Sequence, residues 1–404
     1  MAQRKKILIL GGSVNQVPLI LSAKREGYYV VLCDWDYNNP GVPLADKHYL
    51  VSALNREKNL QIAIDENVDG VISNSEATMP VVAYISEQLG LVGNKEKSIE
   101  ILQSKSLFRD LQDELGLYVP KHIVISSAEE AIQSIQTFSF PVIIKPVESS
   151  GSRGTTKISE FDETLLRDSV EENISFSRNG KCQIEEYVKM PDLSVLDGDI
   201  FVMGESIIWD GLFLSVRNSN APFVPMAQLY PLILDDDRMR IVKDTLTSII
   251  RGAGITHGEY NVEMYFSNEG KLFVIEINAR QGGCAIPQMI EKHCGVDMTR
   301  LLVTTCVGDM YYLEELEHTI RKTKNVARLY VFSYTSGCYK DLFISDKIRP
   351  FVTGIEMEVE KGSTVHPCSN AESVIGYVNL EFASASQQAM YFQNISKEIY
   401  PIVD

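Results

Sequence analysis

The segment LFVIEINARQGG, residues 272–283, carries polar side chains at alternating positions of an otherwise apolar run. Glu276, Asn278 and Arg280 are each two residues apart, and side chains at this spacing lie on one face of a β-strand. A carboxylate, an amide and a guanidinium are therefore predicted to share that face. Carboxylate and amide oxygens of this kind could ligate a hard cation.

A preceding strand-like run, YNVEMYF, adds a second carboxylate, Glu263. The connector SNEGK contains hairpin-turn residues, so the two runs are predicted to form an antiparallel hairpin. An even loop would place Glu263 on the same face as Glu276, whereas an odd loop without a bulge would separate them. Converging carboxylates repel unless a cation lies among them, and Mg²⁺ prefers such ligands. The alternative is an ordinary solvent-facing sheet edge.

Lys145 and the loop that follows it could bind phosphate. Lys145 ends the apolar run FPVIIKPV, where an ammonium group is costly without an anionic partner. The loop SSGSRG, residues 149–154, consists of small residues that let backbone amides approach phosphate oxygens, and it includes Arg153. It lacks the Walker A pattern. A flexible surface turn is the alternative interpretation.

The segment CQIEEYVKMPDLSV, residues 182–195, reads as a strand, a break at Pro191 and a second strand. Backbone groups of such a connector could pair with the edge of an adenine. Asp192 could accept hydrogen bonds from ribose hydroxyls. A plain strand crossover explains the same pattern equally well.

The first hundred residues alternate strand-like and helix-like runs, which predicts a doubly wound layer of parallel strands. Gly11 and Gly12 fall at the first strand-to-helix turn, a favourable position for an anion, and Asp34 ends the second strand. The dinucleotide fingerprint is incomplete, because Ser13 and Gln16 replace its second and third glycines. An NAD-dependent oxidoreductase is therefore a minor alternative.

Composition limits the classes of function. A chain of 404 residues with 45% apolar content predicts two or three domains, and a net charge of −16 argues against a nucleic-acid surface. The seven cysteines show no metal-binding spacing, so they are expected to be reduced core thiols. No apolar run suits a membrane span or a signal peptide. We therefore expect a cytoplasmic protein with no membrane partner.

Taken in order, these motifs resemble the ATP-grasp superfamily, especially its carboxylate–amine ligases, over roughly residues 5 to 310. The resemblance rests on Lys105, Lys145, SSGSRG, IEEYV, Glu263 and IEINARQGG. It implies a mixed α/β and α+β fold with ATP between two subdomains. The implied parts are a Rossmann-like preATP-grasp domain at 1–95, an ATP-grasp domain at 96–315 with a mobile lid at about 120–188, and a small C-terminal α+β region at 316–404.

The resemblance also assigns roles residue by residue. Glu263, Glu276 and Asn278 would bind Mg²⁺, with Mn²⁺ as an alternative ion. Arg280 would be catalytic, facing the reacting carboxylate or acyl phosphate. ATP would contact Lys105, Lys145, Ser149, Ser150, Gly151, Ser152, Arg153, Gly154, Glu185, Glu186, Val188 and Asp192. Substrate positions would be Gly11, Gly12, Asp34, Glu76, His257 and Arg280, although His257 is at least as well explained as a structural histidine.

The implied activity is ATP-dependent amide formation between a small carboxylate and an amine. An acyl phosphate would form first, the amine would then displace phosphate, and ADP would be released. A purine-pathway type of ligase with a phosphoribosyl substrate is the nearest variant, but no basic cluster for its phosphate is evident, so an amino acid or related carboxylate is favoured. A non-catalytic ATP-binding module is another alternative. The C-terminal region could close over the substrate or form a homodimer.

Overall fold

The structure is a computed structural model that describes residues 4–147, 154–177, 179–218, 221–319 and 322–404. Its strands are β1 (Lys6–Leu10), β2 (Tyr29–Asp34), β3 (Lys47–Leu50), β4 (Gly70–Ile72), β5 (His122–Ile125), β6 (Val142–Pro146), β7 (Thr156–Ile158), β8 (Cys182–Glu186), β9 (Ser194–Met203), β10 (Ser206–Asn218), β11 (Ala221–Tyr230), β12 (His257–Phe266), β13 (Leu272–Asn278), β14 (Asn325–Phe332), β15 (Gly337–Ile344), β16 (Val352–Met357), β17 (Thr364–Val365), β18 (Val374–Phe382) and β19 (Ile399–Val403). Its helices are α1 (Val17–Arg25), α2 (Arg56–Glu66), α3 (Met79–Leu89), α4 (Glu96–Gln103), α5 (Lys105–Glu114), α6 (Ala128–Ile135), α7 (Glu163–Phe176), α8 (Asp236–Gly252), α9 (Ile286–Cys294), α10 (Met298–Cys306), α11 (Tyr311–His318), α12 (Ala385–Phe392) and α13 (Ile395–Glu398).

Polar side chains fix where several helices begin. Ser104 accepts a hydrogen bond from the amide of Leu107 and so caps α5, which makes Lys105 the first residue of that helix. Asp162 caps α7 and Asp235 caps α8 in the same way. The position of Lys105 therefore follows from a local sequence signal.

The N-terminal layer is a parallel sheet in the order β3-β2-β1-β4, as the alternating pattern predicted. Strands β1, β2 and β4 are buried, which is why they read as continuous apolar runs, whereas the edge strand β3 is partly exposed. One face packs on α2 and α3 through residues such as Leu8, Val31 and Ile85. The other face shares a core with α1, α9 and α10.

A second layer is the antiparallel sheet β5-β8-β6-β7. It has its own apolar core, in which Val142, Ile144 and Ile184 pack against α6 and α7. Lys145 lies on β6 and Glu185 on β8, so this small sheet brings two of the predicted site residues onto neighbouring strands.

The largest sheet has the order β13-β12-β9-β10-β11-β14-β18-β16 and is antiparallel throughout. One face packs on α4, α5 and α8 through Ile200, Val262 and other apolar residues. The opposite face packs partly on α9 and α10, through Phe201 and Phe213 among others. That second face also carries the acids of the predicted metal site, because side chains alternate along each strand.

The C-terminal region contains the mixed strands and helices that the sequence predicted. Three of its strands, β14, β18 and β16, continue the largest sheet, and β17, β15 and β19 form a separate small sheet. The ladder crosses the predicted boundary at 315/316, because Ala227 pairs with Leu329 and Tyr230 with Val326. The division into domains stays a prediction.

Within the described ranges, helices of the length and apolarity needed to cross a bilayer do not occur. All seven cysteines are free thiols. Cys33, Cys182, Cys294 and Cys306 are buried, as expected of core thiols, whereas Cys284 is exposed. The expectation of a core position was therefore wrong for Cys284, which lies in the loop between β13 and α9.

Candidate active site

The hairpin of β12 and β13 brings the two predicted metal carboxylates together. Glu263 pairs directly with Glu276, and Asn261 pairs with Asn278. The loop between Phe266 and Leu272 has an odd length, and a register shift at Ile275 compensates for it. The bulge, which the sequence did not reveal, therefore keeps both carboxylates on one face.

Two further acids extend this carboxylate face on the neighbouring strand β9. Asp197 lies opposite Glu263, and Asp199 lies opposite Asn261. The amide of Asn261 donates to both aspartates at 3.1 Å, and the amide of Asn278 donates to Asn261 at 3.3 Å. The sequence carries a signal for these acids, since DGD interrupts an apolar strand at residues 197–199.

Arg217, at the end of β10, is the cation of this face. Its Nη2 lies 2.9 Å from Oε2 of Glu263 and 3.9 Å from Oδ2 of Asp197. Burial raises the pKa of Glu263 to about 7 even though Arg217 opposes the shift, and burial likewise raises the pKa of Asp197 to about 6. Two buried acids, Glu263 and Asp197, thus share one guanidinium, so a further cation would stabilise this face.

The donors present fit Mg²⁺ if a bound substrate completes its coordination. Glu276 lies across from Glu263, and Asn278 lies two residues further along the same strand and donates to Glu276 at 3.1 Å. Across the described ranges, clusters of three or more His, Cys, Asp or Glu side chains suited to a metal are absent. Two carboxylates and an amide leave the other positions to outside oxygens, which is how Mg²⁺ is held with phosphates.

Lys145 and Glu185 form the centre of a second buried charge cluster. Lys145 Nζ lies 2.6 Å from Glu185 Oε2, and Arg109 Nε lies 2.8 Å from Glu185 Oε1. Burial lowers the pKa of Lys145 to about 8. Burial would raise the pKa of Glu185, but Arg109 and Lys145 outweigh it and hold that pKa at about 2. The Glu185 side chain, expected at adenine, therefore holds two cations instead.

Arg109 also ties this cluster to the metal hairpin. Its Nη2 donates to the carbonyl of Ile275 at 2.9 Å, at the bulge. Its Nη1 donates to the carbonyl of Val274 at 3.2 Å and to Gln112 at 2.5 Å. The sequence gives no signal for this role of Arg109, because the residue lies on a helix with many charged side chains.

Both clusters face one cavity of about 150 Å³. Its polar wall includes Lys105, Lys145, Arg217, Glu263 and Glu276, and its apolar wall includes Ile143, Val188, Val195, Phe223, Phe273 and Ile275. Small-molecule pockets usually measure roughly 300–1,000 Å³, so a nucleotide would need the walls to separate. Lys105 also lines this cavity, and burial lowers its pKa.

The predicted adenine segment borders the same cavity through Glu186, Tyr187 and Val188. The carbonyl of Val188 accepts from the Tyr265 hydroxyl at 2.7 Å, so its remaining polar group for a base is its N–H. The Glu186 carboxylate accepts from the amide of Ser139 at 2.8 Å. Asp192 is exposed and absent from the lining of the cavity as described.

The predicted phosphate loop falls mostly outside the described residues. Ser149, Ser150, Gly151, Ser152 and Arg153 belong to that part of the chain. Gly154, the next residue, has a φ of +77°, a conformation that favours glycine. The roles given to this loop stay predictions.

Arg280 lies between the metal hairpin and the N-terminal layer. Its Nε is 3.2 Å from Oε2 of Glu76, so two predicted substrate residues meet. A cavity of about 290 Å³ extends from Arg280 along the loop to Gln288, and Val14, Asn15 and Asn74 close its other side. No motif in the sequence marks these three residues.

The first turn of the chain uses its polar groups internally. The amide of Gly11 donates to the carbonyl of Cys33 at 2.9 Å, and the amide of Gly12 donates to Asp34 at 2.5 Å. The other oxygen of Asp34 accepts from the amide of Asp36 at 2.7 Å. The amides of Gly11 and Gly12 and both oxygens of Asp34 therefore already have hydrogen-bond partners within the protein. The contacts of these three residues with a substrate stay predictions.

His257 has the environment of a structural histidine. Its Nε2 lies 2.8 Å from the Thr305 hydroxyl, and its ring packs edge-on against Phe201. Burial lowers the pKa of His257 to about 4, which keeps the ring neutral. Its predicted role near the acceptor substrate therefore has less support than the structural alternative.

A family model matches the part of the chain that holds Lys145, Glu185 and the carboxylates of the hairpin. Residues 138–288 match the family model described as ATP-grasp domain. The carbamoyl phosphate synthase large chain of Pseudothermotoga lettingae is 25% identical over 328 residues, covering 76% of this chain and 28% of that protein. The C-terminal section of the same large chain from Aquifex aeolicus is 25% identical over 327 residues, covering 75% of this chain and 58% of that one. The chain thus spans less than two thirds of either relative.

Solved structures share the overall fold. An L-amino acid ligase from Bacillus licheniformis superposes with a TM-score of 0.78 at 17% identity, and all of both chains is covered. A phosphoribosylglycinamide synthetase from Anaerococcus prevotii gives 0.73 at 18% identity, again over all of both chains. The biotin carboxylase domain of Hydrogenobacter thermophilus 2-oxoglutarate carboxylase, solved with MgADP and bicarbonate, gives 0.70 at 16% identity over 100% of this chain and 92% of that one. Residues 138–288 thus match the ATP-grasp domain, and the chain shares its overall fold with these ligase and carboxylase structures.

Proposed function

We propose that this protein is an ATP-dependent carboxylate–amine ligase that forms an amide bond and releases ADP and phosphate. The observation that supports it most is that Lys105, Lys145, Arg217, Glu263 and Glu276 line one cavity together with an apolar wall. Cations and metal-binding acids suit a triphosphate, and the apolar wall suits a base. A carboxylate that attacks the γ-phosphate gives an acyl phosphate, and an amine that attacks this carbonyl expels phosphate.

Positioning and charge neutralisation would supply the catalysis. Lys105 and Lys145 would hold phosphate oxygens, and the described residues of the site present no Ser–His–Asp arrangement that would make a protein nucleophile necessary. Glu263, Glu276 and Asn278 would hold Mg²⁺, which when bound neutralises charge that develops on the transferring phosphate. Use of Mn²⁺ stays a prediction, as do the homodimer and the mobility of residues 120–188.

The cavity beside Arg280 indicates the class of carboxylate. Among its described lining residues Arg280 is the single cation, and that cation is already paired with Glu76. One guanidinium suits one carboxylate, whereas a phosphoribosyl substrate would add a phosphate with no cation of its own. We therefore favour an amino acid or a similar small carboxylate over the purine-type substrate.

The test is phosphate release from MgATP with pooled amino acids, small carboxylates and amines, followed by mass spectrometry. We expect release that depends on both a carboxylate and an amine, and a product whose mass equals the two substrates minus water. Phosphoribosylamines form a separate pool. Release with that pool alone would transfer the proposal to the purine-type reaction, and nucleotide binding with no release from any pool would indicate the non-catalytic alternative.

A further inference from the structure

We propose that Arg217 is a positioning residue that couples metal binding to nucleotide binding: it neutralises Glu263 until MgATP arrives and then transfers to the terminal phosphate. The proposal rests on the proposed function, because it requires nucleotide and metal to occupy the cavity described above. The protein should therefore bind the divalent cation weakly in the absence of ATP and tightly in its presence.

The first support is the contact between Arg217 and a proposed metal ligand. Arg217 Nη2 lies 2.9 Å from Glu263 Oε2, and Glu263 pairs with Glu276 in the hairpin. A metal ion bound to the same oxygen would lie beside a guanidinium of like charge. One cation must therefore leave for the other to bind well.

The second support is an unused donor on the same side chain. Arg217 is 7% exposed, and its Nε has no hydrogen-bond partner among the residues that the structure describes. A guanidinium offers five donors, and a buried donor without a partner is costly. Because Arg217 lines the cavity with Lys105 and Lys145, phosphate oxygens there would satisfy that donor.

The third support is the backbone around Arg217. The ladder between β10 and β11 shifts register on both sides of it, between Val216 and Arg217 and between Arg217 and Asn218. The amide of Arg217 donates to the carbonyl of Leu193 at 2.8 Å, outside the regular ladder. This irregular strand end fixes the root of the side chain at the cavity while its head group can exchange partners.

Two nearby buried cations have a different partner. Lys145 and Arg109 both pair with Glu185, on the small antiparallel sheet. Arg217 pairs with Glu263 and approaches Asp197, both on the carboxylate face. Thermodynamic linkage requires the coupling to be reciprocal. If nucleotide binding raises the affinity for metal through Arg217, metal binding must raise the affinity for nucleotide by the same factor.

The test is a titration with Mn²⁺, followed by the electron paramagnetic resonance signal of the free ion, which needs no turnover. Without nucleotide, we expect Arg217→Met to bind Mn²⁺ at least about tenfold more tightly than the wild type, since the competing cation is gone. With a non-hydrolysable ATP analogue, the same variant should bind the nucleotide at least about tenfold more weakly and lose most of the coupling. Arg240→Met is the matched control, because Arg240 is exposed and pairs only with Asp237 among the ion pairs described.

A second variant keeps the test decisive if Arg217→Met unfolds. Arg217→Lys retains the positive charge but lacks the Nε donor, so it should still weaken Mn²⁺ binding without nucleotide while losing part of the nucleotide affinity. Equal Mn²⁺ affinity of the wild type and Arg217→Met would overturn the proposal for Arg217 alone. Failure of the wild type to bind Mn²⁺ even with the analogue would instead contradict the proposed metal site.

Discussion

At the scale of residues, the acids of the site could be predicted better than the cations. Glu263 and Glu276 each interrupt an apolar strand, and the structure places them opposite each other. Arg217 is also a charged residue within a strand, but its partner Glu263 lies on a strand that is not adjacent in sequence. Arg109 lies on an ordinary charged helix, so its pairing with Glu185 could be found only from the fold.

The buried cluster around Glu185 leads to a stability prediction. Glu185→Gln should lower the free energy of unfolding by about 3–5 kcal/mol, because Lys145 and Arg109 would remain buried without their counter-charge. Urea denaturation at pH 7 measures this. The matched control is Glu186→Gln, on the next residue of the same strand, where a change below about 1 kcal/mol is expected. Equal effects of the two substitutions would contradict the account of the cluster.

The same cluster leads to a pH prediction. Burial lowers the pKa of Lys145 to about 8, so the ammonium that would hold phosphate is lost as pH rises above 8. The affinity for ATP should be flat from pH 6 to about 7.5 and should then fall, approaching about tenfold per pH unit. Isothermal titration calorimetry across pH 6 to 9.5 measures this. Lys145→Met should bind ATP weakly with a much flatter profile, and a parallel decline in both proteins would assign the pH dependence to another group.

At the scale of elements, a single inserted residue decides whether the site exists. The sequence predicted the hairpin. Whether Glu263 and Glu276 share a face depended on whether the loop length was even or odd. The loop proved odd and the bulge at Ile275 corrected it, with Arg109 bound to the bulge carbonyl. A bulge of this kind depends on tertiary contacts such as the one from Arg109, so it could not be predicted from the local sequence.

Two buried acids, Asp199 and Glu259, hold the loop after β13 in place through hydrogen bonds. Both oxygens of Asp199 accept from the amide of Gly282 at 3.0 Å, and Glu259 accepts from the Gln281 side chain at 2.6 Å. Burial raises the pKa of Glu259 well above its ordinary value, and the charge of Asp199 adds to this. We infer that Glu259 keeps a proton that it shares with Asp199, so the pair costs more stability as pH rises above the unfolded pKa of Glu259.

From this arrangement we expect Glu259→Gln to be at least as stable as the wild type at pH 8, with an advantage that shrinks as pH falls toward 4.5. The amide replaces the shared proton while its oxygen still accepts from Gln281. Glu259→Ala loses that acceptor and should be less stable than Glu259→Gln by about 1–3 kcal/mol. Thermal unfolding at several pH values compares the three proteins. An advantage of Glu259→Gln that grows at low pH would refute the shared proton.

At the scale of the whole molecule, the hydrophobic periodicity of the sequence could not predict the order of the strands in the largest sheet. The parallel N-terminal layer follows from alternating runs, and the sequence predicted it correctly. The continuation of the largest sheet from β11 to β14 joins strands separated by about a hundred residues of sequence. Periodicity specifies which face of a strand is buried, but it does not specify which distant strand lies beside it.

This continuity predicts how the chain tolerates truncation. A protein that ends at residue 315 would expose the edge of β11 and the core residues Ala227 and Leu229, which pack against the C-terminal strands. Exposed apolar sheet edges promote aggregation, so we expect residues 1–315 to aggregate while the full chain stays monodisperse in size-exclusion chromatography. A monodisperse 1–315 fragment that binds ATP would show that the C-terminal region is an independent unit.

The central claim is that the carboxylate pair on the hairpin supports ATP-dependent amide formation. The most direct measurement compares the wild type with Glu276→Ala for phosphate release that depends on both a carboxylate and an amine. We predict release in a one-to-one ratio with amide product in the wild type, at least about a hundredfold less in the variant, and similar unfolding midpoints for both. Near-normal release by a folded Glu276→Ala protein would contradict the account.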